Sequence, residues 1–178
     1  SFLNLNFTQD KRNRKFQTTK GYLSIYNLDI PIISDTNSFI NTFNYKYFSE
    51  LYNDNVSTFG ISLGSAFSLD DSDIKLSERL FIPSSKLRGF EGGKIGPKDG
   101  NDFVGGNYLA TMNVTSSIPQ ILPNSQDTDF SVFLDVANIW GVDYDSNLND
   151  SGKIRSSIGI GLDWFTVIGP ISFSYALP

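Results

Sequence analysis

Side chains in this sequence alternate between apolar and polar over stretches of ten residues or more, and this alternation limits the possible folds more than any other feature. Residues 58–69 place five large apolar side chains on one face and only small or polar ones on the other. Residues 154–164 repeat the pattern. Because successive side chains of an extended strand point to opposite faces, a period of two residues indicates β-strands. The sequence therefore predicts an all-β fold.

About eight strands can be counted along the chain, at residues 1–9, 20–31, 37–51, 57–70, 105–118, 129–141, 153–165 and 169–178. Polar, turn-rich connections join them, as expected of antiparallel hairpins. Several strands exceed ten residues. Strands of soluble sheets average about five or six residues, whereas a strand that crosses a bilayer needs about 9–11.

The alternation alone does not say what the apolar face of the sheet contacts. In a soluble β-sandwich it would form the core, whereas in an outer-membrane barrel it would contact lipid. Strand length favours the membrane barrel, and so do the aromatic residues near strand ends, where interfacial girdles lie. These residues are Tyr22, Tyr45, Tyr47, Tyr108, Trp140, Trp164 and Tyr175. A soluble β-sandwich that serves as a binding module is the alternative at this point.

Composition excludes several classes of function. The 178 residues include no His and no Cys, which rules out thiolate-bound metals, thiol nucleophiles and Ser-His-Asp triads within the chain. An all-oxygen metal site stays open. The net charge of −5 leaves no basic stripe to neutralise phosphates, so we expect no nucleic acid among its partners. With no enzyme motif visible, we expect no catalytic residue, no cofactor and no metal.

One segment breaks the strand rhythm. Residues 81–106 contain seven glycines in 26 positions, together with enough apolar side chains to pack against something. Loops of more than about 12–15 residues are usually functional or disordered. The glycines lack the phosphate-binding G-x-x-x-x-G-K-[ST] spacing, and Asp99, Asn101 and Asp102 lack the spacing of a calcium loop.

Four stretches resemble the BamA family of outer-membrane barrel-assembly proteins, in the same order and spacing. The first resembles the sixth extracellular loop of that family, with L-R-G-F at 87–90, I-G-P at 95–97 and G-G-N at 105–107. The second, F-L-D-V-A-N-I-W at 133–140, resembles a strand of the pattern F-x-D-x-G-x-x-W. The others are G-P-I-S-F-S-Y-A-L-P at 169–178, similar to the penultimate strand, and D-K-R-N with T-T-K-G at 10–13 and 18–21.

The resemblance covers essentially the whole chain and implies its architecture. Residues 1–178 are expected to be about eight strands of a larger, 16-stranded antiparallel transmembrane β-barrel, namely its C-terminal half, with an inward-folding loop at about 81–106. The POTRA domains, the first half of the barrel and the final strand would then lie outside this sequence. An eight-stranded segment alone would have two open sheet edges, which lipid does not tolerate.

The resemblance also implies a set of site residues. Arg88 matches the family's loop arginine, Gly89 would allow close backbone approach, and Phe90 would anchor the loop. The expected partner is Asp135, which the alternation independently places on the polar face of its strand. Thr115 stands where the family commonly has a second acid, so it is expected to be an uncharged neighbour on the wall and to leave Asp135 the main partner.

The implied function is non-enzymatic folding and insertion of β-barrel proteins at the bacterial cell outer membrane. Its partners would be nascent outer-membrane proteins, accessory outer-membrane lipoproteins and the lipid bilayer. A related translocator, similar to TamA or to a two-partner-secretion pore, is an alternative, although such proteins typically have Tyr where this chain has Phe90.

Overall fold

A computed structural model describes residues 2–32, 38–52, 54–70, 72–118, 128–145, 148 and 153–178. The strands are β1 (Phe2–Asp10), β2 (Gly21–Pro31), β3 (Ser38–Tyr52), β4 (Asn55–Ser68), β5 (Lys98–Asp99), β6 (Asp102–Phe103), β7 (Tyr108–Ile118), β8 (Thr128–Trp140), β9 (Arg155–Thr166) and β10 (Gly169–Leu177). A 3-10 turn spans Leu76–Glu78. Within the described ranges, no helix has the length and apolar character needed to cross a membrane.

Eight of the strands form one antiparallel sheet in the order β1-β2-β3-β4-β7-β8-β9-β10. Each strand pairs with its neighbour in the chain, apart from β4 and β7, which pair across the long loop between them. The eight predicted strands are confirmed to within a few residues. The pair β5 and β6 is a separate small hairpin within the loop, and the sequence pattern did not predict it.

The exposure of the side chains shows which face of the sheet is buried. Large apolar side chains on one face are exposed: Ile158 to 60%, Ile160 to 58% and Phe173 to 55%. We call this the outer face, and its exposed members also include Leu63, Phe67, Val132, Leu134, Trp164 and Tyr175. The inner face carries Ser62, Thr111, Asp135 and Ser157, which are buried.

A soluble sheet would bury its apolar face, and this one exposes it, as a membrane barrel does toward lipid. The exposed apolar face agrees with the predicted antiparallel transmembrane barrel segment and does not favour the soluble β-sandwich alternative.

Aromatic side chains cluster near the strand ends. At the end of the sheet next to the long loop, Tyr108 packs against Phe67 and Trp140, with ring centroids 5.7 and 5.9 Å apart. Tyr22 and Tyr45 pack at 5.8 Å toward the other end. Such positions suit interfacial girdles, where aromatic rings sit between hydrocarbon and water.

Candidate functional site: an arginine of the long loop bound to the inner wall

The loop between β4 and β7 runs from residue 69 to residue 107, and so begins earlier than the predicted 81–106. At its base Leu80 and Gly106 exchange two backbone hydrogen bonds, of 2.9 and 3.1 Å. A Cβ on Gly106 would lie 2.5 Å from the carbonyl oxygen of Trp140, so only glycine permits this approach to β8. The base is thus a narrow neck, and residues 81–105 form a lobe that lies on the inner face.

An apolar cluster holds the lobe against the sheet. Ile82, Leu87 and Ile95 from the loop are buried against Ala137 and Ile139 of β8, with Phe90, Leu80 and Leu109 partly buried at the margin. Complete burial of a side chain of this size contributes about 1.5–3 kcal/mol. The lobe therefore has its own small core, and the site residues next to it are positioned by packing as well as by charge.

Arg88 and Asp135 meet directly at the inner face. The side-chain Nε of Arg88 donates to Oδ2 of Asp135 at 2.7 Å, and Nη2 donates to Oδ1 at 2.7 Å. The backbone N–H of Arg88 adds a third hydrogen bond, to Oδ2 at 3.0 Å. This is the two-pronged guanidinium–carboxylate geometry, which fixes orientation as well as distance.

The surroundings of the pair complete its hydrogen bonding. Asn113 donates to Oδ1 of Asp135 at 2.9 Å and to the carbonyl oxygen of Lys86 at 2.8 Å, so it ties β7 to both loop and acid. Arg88 also donates to the hydroxyl of Thr115 at 3.2 Å, and its guanidinium lies 3.5 Å above the ring of Phe133.

The Arg88–Asp135 ion pair is largely buried, which raises its contribution to stability. The side chain of Asp135 is 0% exposed and that of Arg88 is 23% exposed. An exposed ion pair contributes only about 0–1 kcal/mol, whereas removing one partner of a buried pair costs about 3–5 kcal/mol. The carboxylate accepts four hydrogen bonds, so the cost of its burial is offset.

Glycines at two positions allow the loop to pack closely against β8 and β10. Gly89 has a φ of +85°, and a Cβ there would lie 2.8 Å from the Cβ of Ala176 in β10. In β9, a Cβ on Gly159 would lie 2.6 Å from the ring of Phe133, the same ring that carries the Arg88 guanidinium. Gly89 thus lies where the loop backbone comes close to β10, and Gly159 is an addition that the sequence pattern alone did not single out.

A second charged cluster lies at the neck of the loop, and the sequence analysis missed it. Arg79 donates to Asp143 at 2.5 Å, while Tyr144 lies against the Arg79 guanidinium at 4.7 Å. In the sequence Asp143 reads as an ordinary acid in a turn-rich connection. The only local signal was an arginine directly before the apolar run Leu80, Phe81 and Ile82.

The described ranges contain no group of three or more His, Cys, Asp or Glu side chains placed to hold a metal ion. The contacts observed at the inner face are hydrogen bonds, an ion pair and apolar packing. Such an arrangement can hold a loop in a fixed position on a sheet.

Comparison with known proteins agrees with this geometry. The sequence model described as the Omp85 superfamily domain matches residues 1–178. The outer membrane protein assembly factor BamA of Neisseria meningitidis is 25% identical over 96% of this chain, and that of Neorickettsia risticii is 29% identical over 65% of it. These alignments cover 25% and 16% of the two relatives, so the chain spans about a quarter of their length or less.

A solved structure is similar over nearly the whole chain. BamA from Haemophilus ducreyi lacking POTRA domains 1–3 has a TM-score of 0.86 and 26% identity, over 98% of this chain and 38% of that one. The strand order, the inward-folded loop and the matched sequence lead to one conclusion: this chain belongs to the Omp85 superfamily, as part of a BamA-like outer-membrane barrel.

Proposed function

We propose that this chain forms part of the barrel of a factor that folds and inserts β-barrel proteins into the bacterial outer membrane. The observation that carries the proposal is the long loop folded onto the inner face, with Arg88 bound to Asp135. The names of the relatives support assembly rather than the related translocator function. The nascent outer-membrane proteins would be its clients, with accessory outer-membrane lipoproteins and the lipid bilayer as further partners.

We further propose that residues 1–178 are the C-terminal half of the barrel domain. The first half of the barrel, the final strand and the POTRA domains would be supplied by the rest of a parent protein. The small share of each relative that the chain covers supports this division. Strands β1 and β10 each have one neighbour in the sheet, so each offers an edge for the missing strands.

The proposed action is physical rather than catalytic. Client strands would pair with a barrel edge through backbone hydrogen bonds, which is the β-augmentation mode of recognition. The inner wall must keep its shape while an edge opens, and the loop braces that wall. Arg88, Gly89 and Phe90 form the loop side of the brace, and Asp135 with its neighbour Thr115 forms the wall side.

The proposal predicts that Asp135→Ala and Arg88→Ala impair the full-length protein to a similar degree. Each change breaks a buried pair, and its expected cost is about 3–5 kcal/mol. Two measurements apply: heat-modifiability, which is the gel shift between folded and heated barrel, and insertion of a client barrel in reconstituted vesicles. Both should decrease together in each variant.

Lys94→Ala is the matched control, because Lys94 forms an ion pair with Glu91 in the same loop but both side chains are more than half exposed. It should leave both measurements unchanged. If Asp135→Ala behaves like Lys94→Ala while Arg88→Ala loses client insertion, then Asp135 is not the functional partner of Arg88.

A further inference from the structure

The neck of the loop contains a second arginine–aspartate pair that joins three parts of the chain. Nη2 of Arg79 donates to Oδ1 of Asp143 at 2.5 Å. Oδ2 of the same acid accepts from the backbone N–H of Ile74 at 3.0 Å and from Nδ2 of Asn107 at 3.2 Å. Asp143 belongs to the β8–β9 connection, whereas Ile74 and Asn107 lie on the two sides of the neck. One carboxylate therefore closes the neck and fastens it to a neighbouring connection.

The residue after Asp143 extends this link to the β5–β6 hairpin of the lobe. The ring of Tyr144 packs on the guanidinium of Arg79 at 4.7 Å. Its hydroxyl donates to Oδ2 of Asp99, in the β5–β6 hairpin, at 3.0 Å. The β8–β9 connection thus contacts the loop at its neck and at its hairpin.

Burial makes the Arg79 side of this pair a fixed point, whereas the Asp143 side chain is 29% exposed. The Arg79 side chain is 1% exposed, and its Nε donates to the carbonyl oxygen of Ile74 at 3.1 Å. Among the described residues, its Nη1 has no hydrogen-bond partner. A buried guanidinium with an incomplete set of acceptors depends strongly on its one carboxylate, because an uncompensated buried charge is costly.

The chain connects this fixed point to the site at Arg88. Leu80, directly after Arg79, forms the backbone bridge to Gly106 and packs at the margin of the apolar cluster. Ile82 and Leu87 in that cluster lead to Arg88. Nine positions separate the two arginines, so fixing the neck removes much of the conformational freedom that the Arg88 contact must otherwise overcome.

We propose that Arg79 and Asp143 form a rim anchor that positions the loop so that Arg88 reaches Asp135, and that ties the loop to the β8–β9 connection. The functional importance of that positioning rests on the proposed function above. Arg79 is a positioning residue, and its effect is exerted through the loop. The inner-wall pair holds the lobe itself, and the rim anchor holds the neck that leads into it.

The test follows the position of the lobe by spin labels in the full-length protein, reconstituted in lipid. One label replaces exposed Glu91 in the loop, and the other replaces Val132 on the outer face of β8. Electron–electron distance measurements on the otherwise unaltered protein should give one narrow distribution of the distance between the two labels. Asp143→Ala should raise the displaced population about tenfold or more, tenfold corresponding to about 1.4 kcal/mol.

Charge reversal gives a readout that a merely structural role would not produce. Arg79→Asp and Asp143→Arg should each broaden the distribution, and the double reversal should narrow it again. Where a single variant fails to fold, the apolar pair Arg79→Met with Asp143→Leu removes both charges together, and its displaced fraction should be smaller than that of Asp143→Ala.

The control is Arg12→Ala, which removes an arginine–aspartate pair with Asp10 at the opposite end of the sheet and should leave the distribution narrow. An unchanged distribution in Asp143→Ala, alongside a broadened one in Arg88→Ala, would overturn the rim anchor. If instead both broaden the distribution while client insertion stays normal, the rim anchor stands, and the part of the proposed function that fails is the need for an anchored loop in client insertion.

Discussion

At the scale of single residues, the inner-wall site depends on a position where the neighbouring strand carries no side chain. Gly159 gives the ring of Phe133 room to lie flat beneath the Arg88 guanidinium, since a Cβ there would come within 2.6 Å of that ring and 2.1 Å of the Tyr175 carbonyl oxygen. We predict that Gly159→Ala lowers the midpoint of heat-modifiability, because overpacking of this kind costs about 1–3 kcal/mol.

Gly60→Ala provides the comparison for that prediction. Gly60 also lies on the inner face, in β4, but a Cβ there would have its nearest contact at 3.7 Å, an ordinary packing distance. It should therefore change the midpoint little. Equal midpoints for the two variants would show that the space above Gly159 does not limit the position of Phe133.

Lys86 contributes a pH dependence to the loop. Its pKa is lowered, first by burial and then by the nearby charge of Lys46, and its Nζ has only a long contact to Asn44, at 3.4 Å. A lysine whose pKa is lower in the folded state than in the unfolded state destabilises the anchored loop while it is charged. This destabilisation is fully present below the folded-state pKa. It disappears as pH rises from the folded-state pKa to the unfolded-state pKa.

The midpoint of heat-modifiability is therefore expected to increase, as pH rises toward the ordinary pKa of lysine, more in the natural sequence than in Lys86→Met. At pH 7, Lys86→Met should have the higher midpoint of the two. Parallel pH curves would indicate that Lys86 keeps water around its charge in the anchored state.

At the scale of elements, strands could be predicted from sequence and the neck of the loop could not. Alternation over ten or more residues is a local property, so the eight long strands were found to within a few residues at each end. The same alternation is symmetric between faces, and only the exposure of side chains such as Ile160 and Phe173 decides which face is outside.

The two ion pairs show the limit of sequence reasoning more sharply. Arg88 and Asp135 are 47 positions apart, and a family resemblance was needed to match them. Arg79 and Asp143 are 64 positions apart, and no periodicity or motif connects them. Their meeting depends on how the neck and the β8–β9 connection pack, which is a property of the tertiary structure.

The two faces of one strand give an element-scale prediction. In β1, Phe7 is 62% exposed on the outer face, and Thr8 next to it is on the inner face. We predict that Phe7→Lys in the full-length protein reduces barrel assembly, because a lysine facing lipid near mid-depth costs about 2–4 kcal/mol. Thr8→Lys, at the same depth, should assemble normally, as judged by the folded band on gels.

The pair of variants is informative because both side chains are exposed in the segment itself. A sheet in water would tolerate lysine at either position. Equal assembly of Phe7→Lys and Thr8→Lys would therefore contradict the placement of the outer face against lipid.

At the scale of the whole molecule, the eight-stranded sheet has two edges, along β1 and β10. Unpaired N–H and C=O groups at such edges are costly in lipid and attract other strands in water. The anchored loop covers the inner face but does not pair with either edge, since the described loop strands β5 and β6 pair only with each other.

We predict that residues 1–178, expressed alone, do not yield a monomeric heat-modifiable barrel. In detergent they should form oligomers whose size grows with concentration, because the β1 and β10 edges can pair only with other copies. Light scattering and gel mobility before and after heating measure both properties. Supplying, as a second polypeptide, the barrel strands that the proposed function assigns to the rest of the parent protein should restore a discrete folded species, since both edges then have partners. A monodisperse, water-soluble monomer without detergent would contradict the need for additional strands and the membrane placement together.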